Sequence, residues 1–147
     1  MDYEINNNTI ALIFENNSTK VYEVENELII NNKTPNNIIK ISCEYFGSSY
    51  EGRIKGTNAM TGLTHKVPII IEETCEIIFF PTSSSRLNDC SWLRSKYIKK
   101  YEKYEKNKVK ILTINDKEIV LNCSYETINN QILRSSRLES IIRYRKV

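Results

Sequence analysis

Short runs of β-branched and aromatic residues, separated by polar turns, constrain the fold of this chain more than any other feature. Residues 9–14 (TIALIF), 20–24 (KVYEV) and 27–31 (ELIIN) are three such runs, and Asn-rich turns bound them. The Ile-rich runs 67–71 and 76–80 have the same character. Runs of this length and composition predict β-strands, and the short connections between them predict antiparallel pairing.

The last third of the chain repeats this pattern. Residues 108–114 and 118–123 flank the turn 115–117, which indicates a hairpin. Alternation of side-chain type from Trp92 to Tyr101 predicts a further strand.

Two segments carry the signals that begin a helix. Thr34 and Pro35 suit an N-cap and a first helical position, and apolar residues then recur at helical spacing as far as Gly47. Ser124 suits the N-cap of a final helix. We therefore predict one domain over residues 1–147 with an α+β fold: mainly antiparallel β hairpins, a helix near 35–47 and a C-terminal helix near 125–145.

The charge of the chain is unevenly distributed. Residues 1–52 carry three Lys against eight acidic residues, net −5, whereas residues 53–147 carry 18 Lys and Arg against 10 acidic residues, net +8. Such a basic part can bind phosphate, although a solvated lysine-rich surface gives the same composition. We see no signal peptide, no apolar run long enough to span a bilayer and no CxxC pair. We expect a cytoplasmic protein with free thiols and without a cofactor or metal.

The strongest candidate for chemistry is the segment 43–57, CEYFGSSYEGRIKGT. All four glycines of the chain lie between positions 47 and 62, so we interpret residues 47–66 as a loop with at most a helical turn near Tyr50–Lys55. Glycine backbone N–H groups, hydroxyls and cations together suit phosphate contacts. A glycine-rich turn after a helix explains the same residues.

Three weaker candidates follow along the chain. His65-Lys66 precedes an apolar strand, and the polar loop 82–91 contains four serines and Arg86. A thiol hydrolase built from Cys90, His65 and Asp89 has no family signature around the cysteine, so we do not expect an enzyme. The final helix carries an arginine face that is either solvated or in contact with a DNA backbone; it comprises Arg134, Arg137, Arg143 and Arg145.

These segments, in their order, resemble the ComK family of competence transcription factors. The resemblance rests on residues 43–57, on His65-Lys66 before Pro68-Ile69, and on Phe80-Pro81-Thr82, Cys90-Ser91-Trp92 and Ser124-Tyr125. It runs from about residue 10 to 145. The chain ends soon after the last helix, where many relatives continue, so it is similar to a C-terminally short member of the family.

The resemblance implies a transcriptional activator of DNA-uptake genes that binds AT-rich boxes in double-stranded DNA, largely through the minor groove. It also implies a homo-oligomer, an adaptor of a regulatory protease and RNA polymerase as partners. The residues expected at DNA are Ser48, Ser49, Tyr50, Arg53, Lys55, His65, Lys66 and Arg86. The alternative is a protein-interaction module or regulatory paralogue that keeps the fold and does not bind DNA.

Overall fold

The computed structural model describes residues 3–85, 87 and 89–146. In this part of the chain there are nine strands and three α-helices. The strands are β1 (Thr9–Glu15), β2 (Ser18–Glu23), β3 (Glu27–Ile30), β4 (Ile69–Glu72), β5 (Ile77–Pro81), β6 (Trp92–Arg94), β7 (Ile98–Lys103), β8 (Val109–Thr113) and β9 (Glu118–Leu121). The helices are α1 (Pro35–Tyr45), α2 (Tyr50–Thr61) and α3 (Tyr125–Arg145).

The strands form two antiparallel sheets. One has six strands in the order β3-β2-β1-β6-β5-β4, and the other has three in the order β7-β8-β9. With helices at 35–45 and 125–145, this arrangement confirms the predicted α+β fold of antiparallel hairpins.

Asparagine supplies the tight turn of the first hairpin. Asn16 and Asn17, between β1 and β2, both have positive φ, at 50° and 59°. Two consecutive positive φ angles match the right-handed twist of paired strands, and asparagine tolerates them better than most residues. Asp116 has φ 64° in the turn between β8 and β9. The predicted hairpins at these two places are confirmed.

The prediction of one strand from Trp92 to Tyr101 was wrong. The chain leaves the six-stranded sheet after Arg94, makes a 3-10 turn at Ser95–Tyr97, and enters the three-stranded sheet as β7. The buried Arg94 fixes this crossing: Nη1 donates to the Asn7 carbonyl (3.2 Å) and Nη2 to the Cys75 carbonyl (3.0 Å). Alternation of side chains carries no information on which sheet a strand joins.

Side-chain caps begin α1 and α3 where the sequence indicated. The Thr34 hydroxyl accepts from the Asn37 backbone N–H, and the Asn37 side chain accepts from the Thr34 N–H, which completes a capping box. The Ser124 hydroxyl accepts from the Thr127 N–H at 3.1 Å. Such caps satisfy N–H groups that have no partner within the helix.

The interpretation of residues 47–66 as a loop was wrong, because α2 occupies most of that segment. Only Gly47 and Gly62 need glycine's freedom: their φ angles are +84° and +79°, and they lie just outside the two ends of α2. Between them tertiary contacts hold the helix. Ile54 packs on the core, and the buried Thr57 hydroxyl donates to the Pro68 carbonyl at 3.0 Å.

The six-stranded sheet is the middle of three layers. One face packs α1 and the N-terminal half of α2 over Leu12, Phe79 and Trp92. The opposite face packs the three-stranded sheet and the start of α3 over Phe80 and Leu93. Near the β4 edge, α2 and α3 meet in a smaller apolar cluster, formed by Ile70, Ile78, Leu138 and Ile142 with Met60.

The four cysteines are free thiols. Cys43 and Cys90 are buried, Cys123 is half-buried and Cys75 is exposed. Of the helices described, none is both long enough and apolar enough to cross a membrane.

Candidate nucleic-acid interface

The corner between α1 and α2 places two of the predicted hydroxyls. The Ser49 side chain is the N-cap of α2, and its Oγ accepts from the Gly52 N–H at 3.0 Å. Because that oxygen acts as an acceptor, its O–H hydrogen remains available to an outside acceptor. Ser48 is half-buried, and its N–H donates to the Cys43 carbonyl at 2.9 Å.

Tyr50 points toward the core. Its ring lies edge-on to that of Trp92, with 6.4 Å between centroids, and Lys40 Nζ lies 5.8 Å from the Tyr50 centroid. Desolvation by burial raises the pKa of Tyr50. These contacts make Tyr50 an anchor of α2 against the six-stranded sheet.

Arg53 and Lys55 have different environments, although both lie on α2. Arg53 forms an ion pair with Glu73 at 3.2 Å, and its side chain is only 19% exposed. Arg53 Nε is buried and has no hydrogen-bond partner among the described residues. Lys55 is exposed, and nothing in the described part of the chain forms an ion pair with it. Of the two cations, Lys55 is therefore the one free to bind a ligand.

The side of α2 that faces solvent has glycine or alanine at three of its six positions. This α2 outer face consists of Glu51, Gly52, Lys55, Gly56, Asn58 and Ala59. A Cβ placed on Gly56 would meet no atom within 4 Å, whereas one on Gly52 would lie 3.0 Å from Ser49 Oγ. Glycine inside a helix costs about 1 kcal/mol relative to alanine. The cap formed by Ser49 thus explains why position 52 is glycine, whereas nothing in the described fold explains why position 56 is glycine.

The loop between α2 and β4 carries His65 and Lys66, and α3 holds its backbone. Arg134 Nη1 donates to the His65 carbonyl at 2.9 Å. Gln131 Nε2 donates to the Lys66 and Pro81 carbonyls, both at 2.8 Å. Lys66 has φ 51°, and the side chains of His65 and Lys66 are exposed. The loop thus presents two polar side chains from a fixed backbone.

No sequence pattern indicated the role of Gln131. It is buried on α3, and its two acceptors lie 65 and 50 residues away in the chain. Asn58 was also missed, because its position on an exposed helix face depends on α2 being a helix. Small or polar residues recur three, four and seven positions after Gly52, at Lys55, Gly56 and Ala59. This helical spacing is the signal that could have indicated the exposed face.

The polar loop 82–91 is only partly described. Arg86, an expected DNA contact, lies outside the described residues. Cys90 is buried, and desolvation raises the pKa of its thiol. The hydrogen bonds described for the Cys90 thiol go to the Ser83 and Ser91 carbonyls and not to His65, which is exposed. Among the described residues no cluster of His, Cys, Asp and Glu could hold a metal ion.

Two of the four arginines of α3 form hydrogen bonds with other elements of the fold. Arg134 holds the His65 carbonyl, and Arg143 binds both carboxylate oxygens of Glu76 at 2.6 and 2.7 Å. Hydrogen bonds from Arg143 first, and then from a lysine, lower the pKa of Glu76 to about 2. Arg137 and Arg145 are exposed. The expected arginine face is therefore partly a structural feature that joins α3 to the β4–β5 turn.

The chain matches the family model described as ComK protein over residues 1–146. It is 33% identical over 141 residues to a competence transcription factor of Bacillus subtilis (strain 168), in an alignment that covers 94% of this chain and 73% of that protein. No solved structure matches the chain. The family match spans every candidate residue named above.

Proposed function

Since the chain belongs to the ComK protein family, we propose that it is a competence transcription factor that binds AT-rich double-stranded DNA, largely through the minor groove. Residues 1–147 act as one DNA-binding domain. The chain works in the cytoplasm and activates DNA-uptake genes without an enzymatic step or a cofactor.

The α2 outer face is the observation that supports DNA contact most directly. It combines an exposed cation, Lys55, with a helix surface on which Gly56 leaves the backbone uncovered. Glycine and alanine beside the lysine let a helix approach the phosphates more closely than long side chains would, and Glu51, one turn before Lys55, is the acidic residue of this face. The stability lost at Gly56 is then explained by a partner that the protein must accommodate.

Six of the eight predicted residues have a role in this mode of binding, whereas Tyr50 anchors α2 on the core and His65 is assigned no contact. A-tracts narrow the minor groove and deepen its negative potential, which attracts an inserted lysine or arginine. Lys55 enters the groove, and Arg53 does so only after it leaves Glu73. The Ser49 hydroxyl donates to a phosphate oxygen, and Ser48, Lys66 and Arg86 bind the neighbouring phosphates.

Partners follow from family membership and not from any contact described above. A homo-oligomer on DNA would read two boxes that lie whole helical turns apart. RNA polymerase and an adaptor of a regulatory protease are the further partners that we propose.

Fluorescence anisotropy with two duplexes of equal length, one with AT-rich boxes and one GC-rich, tests the proposal across a salt series. We expect tighter binding to the AT-rich duplex and a steep salt dependence. Lys55→Ala should weaken AT-rich binding by about 1–3 kcal/mol. Lys106→Ala is the matched control, because Lys106 is an exposed lysine of the three-stranded sheet layer.

Equal and weak binding to both duplexes, unaffected by Lys55→Ala, would contradict the proposal. It would favour the interaction module that keeps this fold without binding DNA. An equal loss in Lys55→Ala and Lys106→Ala would show a diffuse basic surface in place of a defined α2 contact.

A further inference from the structure

A groove of about 430 Å³ lies between the end of β1, the described part of the loop 82–91 and β9. The last residues of β1, Ile13 to Glu15, line one wall, and residues 120–123 line the other. Thr82, Ser83 and Leu87 are further lining residues. The volume lies within the range of sites that hold small ligands or a few residues of peptide.

The wall formed by β9 carries unpaired backbone groups. β9 is an edge strand that pairs with β8 alone. The Thr113 N–H donates to the Lys117 carbonyl at 2.9 Å, so this pair is hydrogen-bonded. Hydrogen-bonded pairs alternate along an antiparallel ladder, so the backbone N–H and C=O groups of residues 119 and 121 also point toward β8. The N–H and C=O groups of Val120 and Asn122 therefore point away from β8, and both residues line the groove.

Apolar side chains complete this open edge. Val120 is 46% exposed and Leu87 is 52% exposed. Ile13, Phe14 and Leu121 also line the groove and are half-buried or buried. Edge strands of monomers are usually protected by charges, by proline or by a covering segment. β9 has one charged residue, Glu118, at its start and an exposed valine at the centre of its free edge.

The charged side chains among the described lining residues of the groove are acidic. Glu15 and Asp89 both line it, and both are exposed. No residue of the described ranges forms a salt bridge with either carboxylate. A ligand of the groove would therefore gain from positive charge as well as from apolar side chains.

We infer that this groove binds an extended segment of a partner protein, with alternating apolar residues and flanking Lys or Arg, which adds to β9 as a fourth strand of the three-stranded sheet. The backbone of the segment bonds to Val120 and Asn122. Its apolar side chains pack on Ile13 and Leu121, and its cations lie near Glu15 and Asp89. Strand addition is a recurrent mode of peptide recognition, in which main-chain bonds give affinity and alternate pockets give specificity.

The geometry favours a peptide segment over a second copy of the chain. Residues 13–15 at the end of β1 line the same groove as the free edge of β9. A second copy that paired through its own β9 would bring its β1–β2 hairpin into the same space. One slim extended strand avoids that overlap.

The test uses the fluorescein-labelled peptide KVKVTVK-amide, its charge-reversed counterpart EVEVTVE-amide, and a KVKVTVK-amide that is N-methylated at alternate residues. Saturable binding of the first peptide is expected in fluorescence anisotropy. The charge-reversed peptide should bind at least tenfold more weakly, because its glutamates are repelled by the carboxylates of the groove. The N-methylated peptide should also bind at least tenfold more weakly, because it lacks the backbone N–H groups that pair with β9.

Val120→Pro is the decisive variant. Proline is tolerated at an edge position whose N–H faces away from the ladder, so the variant should keep its thermal unfolding transition and lose at least tenfold in peptide affinity. Val120→Thr keeps the N–H and should bind within twofold of the parent. Glu15→Gln should weaken binding several-fold, whereas Glu25→Gln, an exposed acid at the β2–β3 turn, should not.

Three results with the peptides would overturn the inference. They are the absence of saturable binding, equal binding of the N-methylated peptide, and unchanged affinity in a folded Val120→Pro variant. A concentration-dependent dimer that Val120→Pro dissociates would overturn it too, since the edge would then belong to a second copy. The DNA affinity of Val120→Pro should equal that of the parent, so a failure here leaves the proposed DNA contact untouched.

Discussion

Replacing Gly56 with alanine separates the needs of the fold from the needs of a partner. The new Cβ would meet no atom within 4 Å, and Gly56 lies inside α2 with an ordinary negative φ. Alanine in a helix interior is favoured over glycine by about 1 kcal/mol. The variant should therefore be more stable by about that amount, which raises Tm by roughly 2–4 °C for a domain of this size.

The same methyl group should impair DNA binding if α2 lies against phosphates. A loss of about tenfold in affinity for the AT-rich duplex, or about 1.4 kcal/mol, is expected. Denaturant titration measures the first effect as a higher midpoint with an unchanged m-value. Anisotropy on the same preparation measures the second. Stability and affinity should thus change in opposite directions.

Two other glycines provide the controls. Gly52→Ala should gain less stability, because its Cβ would lie 3.0 Å from the Ser49 oxygen that caps α2. Gly62→Ala should be less stable than the parent, since φ is +79° there and alanine is strained in that region. A destabilised Gly56→Ala would refute the assignment of an uncrowded helix position. A stabilised variant with parental DNA affinity would refute the reason given for the glycine.

Three further predictions concern stability and reactivity. Arg143 and a neighbouring lysine hold the pKa of Glu76 near 2, below its ordinary 4.5, so the stability that Glu76 contributes should be present above pH 4.5 and lost as pH falls toward 2. Glu76→Gln should remove this part of the acid-unfolding curve. An unchanged curve would contradict a stabilising role for the ion pairs of Glu76. Gln131→Leu should lower the free energy of unfolding by about 1–3 kcal/mol in urea titration, because two carbonyls lose their donor. If this decrease is smaller than that of an exposed control such as Asn130→Leu, Gln131 does not stabilise the loop. Iodoacetamide should alkylate the exposed Cys75 well before the buried Cys90; mass spectrometry that finds Cys90 modified first would revive the thiol hydrolase.

Much of the fold follows from local patterns. The first hairpin was predictable because Asn16 and Asn17 form a turn that suits two twisted strands, and α1 because Thr34 and Pro35 begin a helix in a way that needs no distant partner. Caps and tight turns depend on neighbours within four residues, so sequence alone contains the necessary information.

The candidate site was less predictable. Its residue types were identified from the sequence, but Arg53 and Lys55 could not be distinguished there. Glu73, which engages Arg53, lies 20 residues further along the chain. Whether a cation is free or paired depends on such distant contacts, and a sequence read locally cannot show them.

Local sequence patterns were sufficient for the class of fold, the strands of the hairpins, the caps of α1 and α3, and the family. Contacts between distant parts of the chain were needed to establish that residues 50–61 form a helix, that β7 leaves the sheet of β6, and that α3 holds the loop of His65 and Lys66. Two glycines give α2 a weak intrinsic preference for helix, and packing of Ile54 and Thr57 overcomes it. Local preference is sufficient where a cap or turn is complete in itself, and burial decides wherever the stabilising partner is distant in the chain.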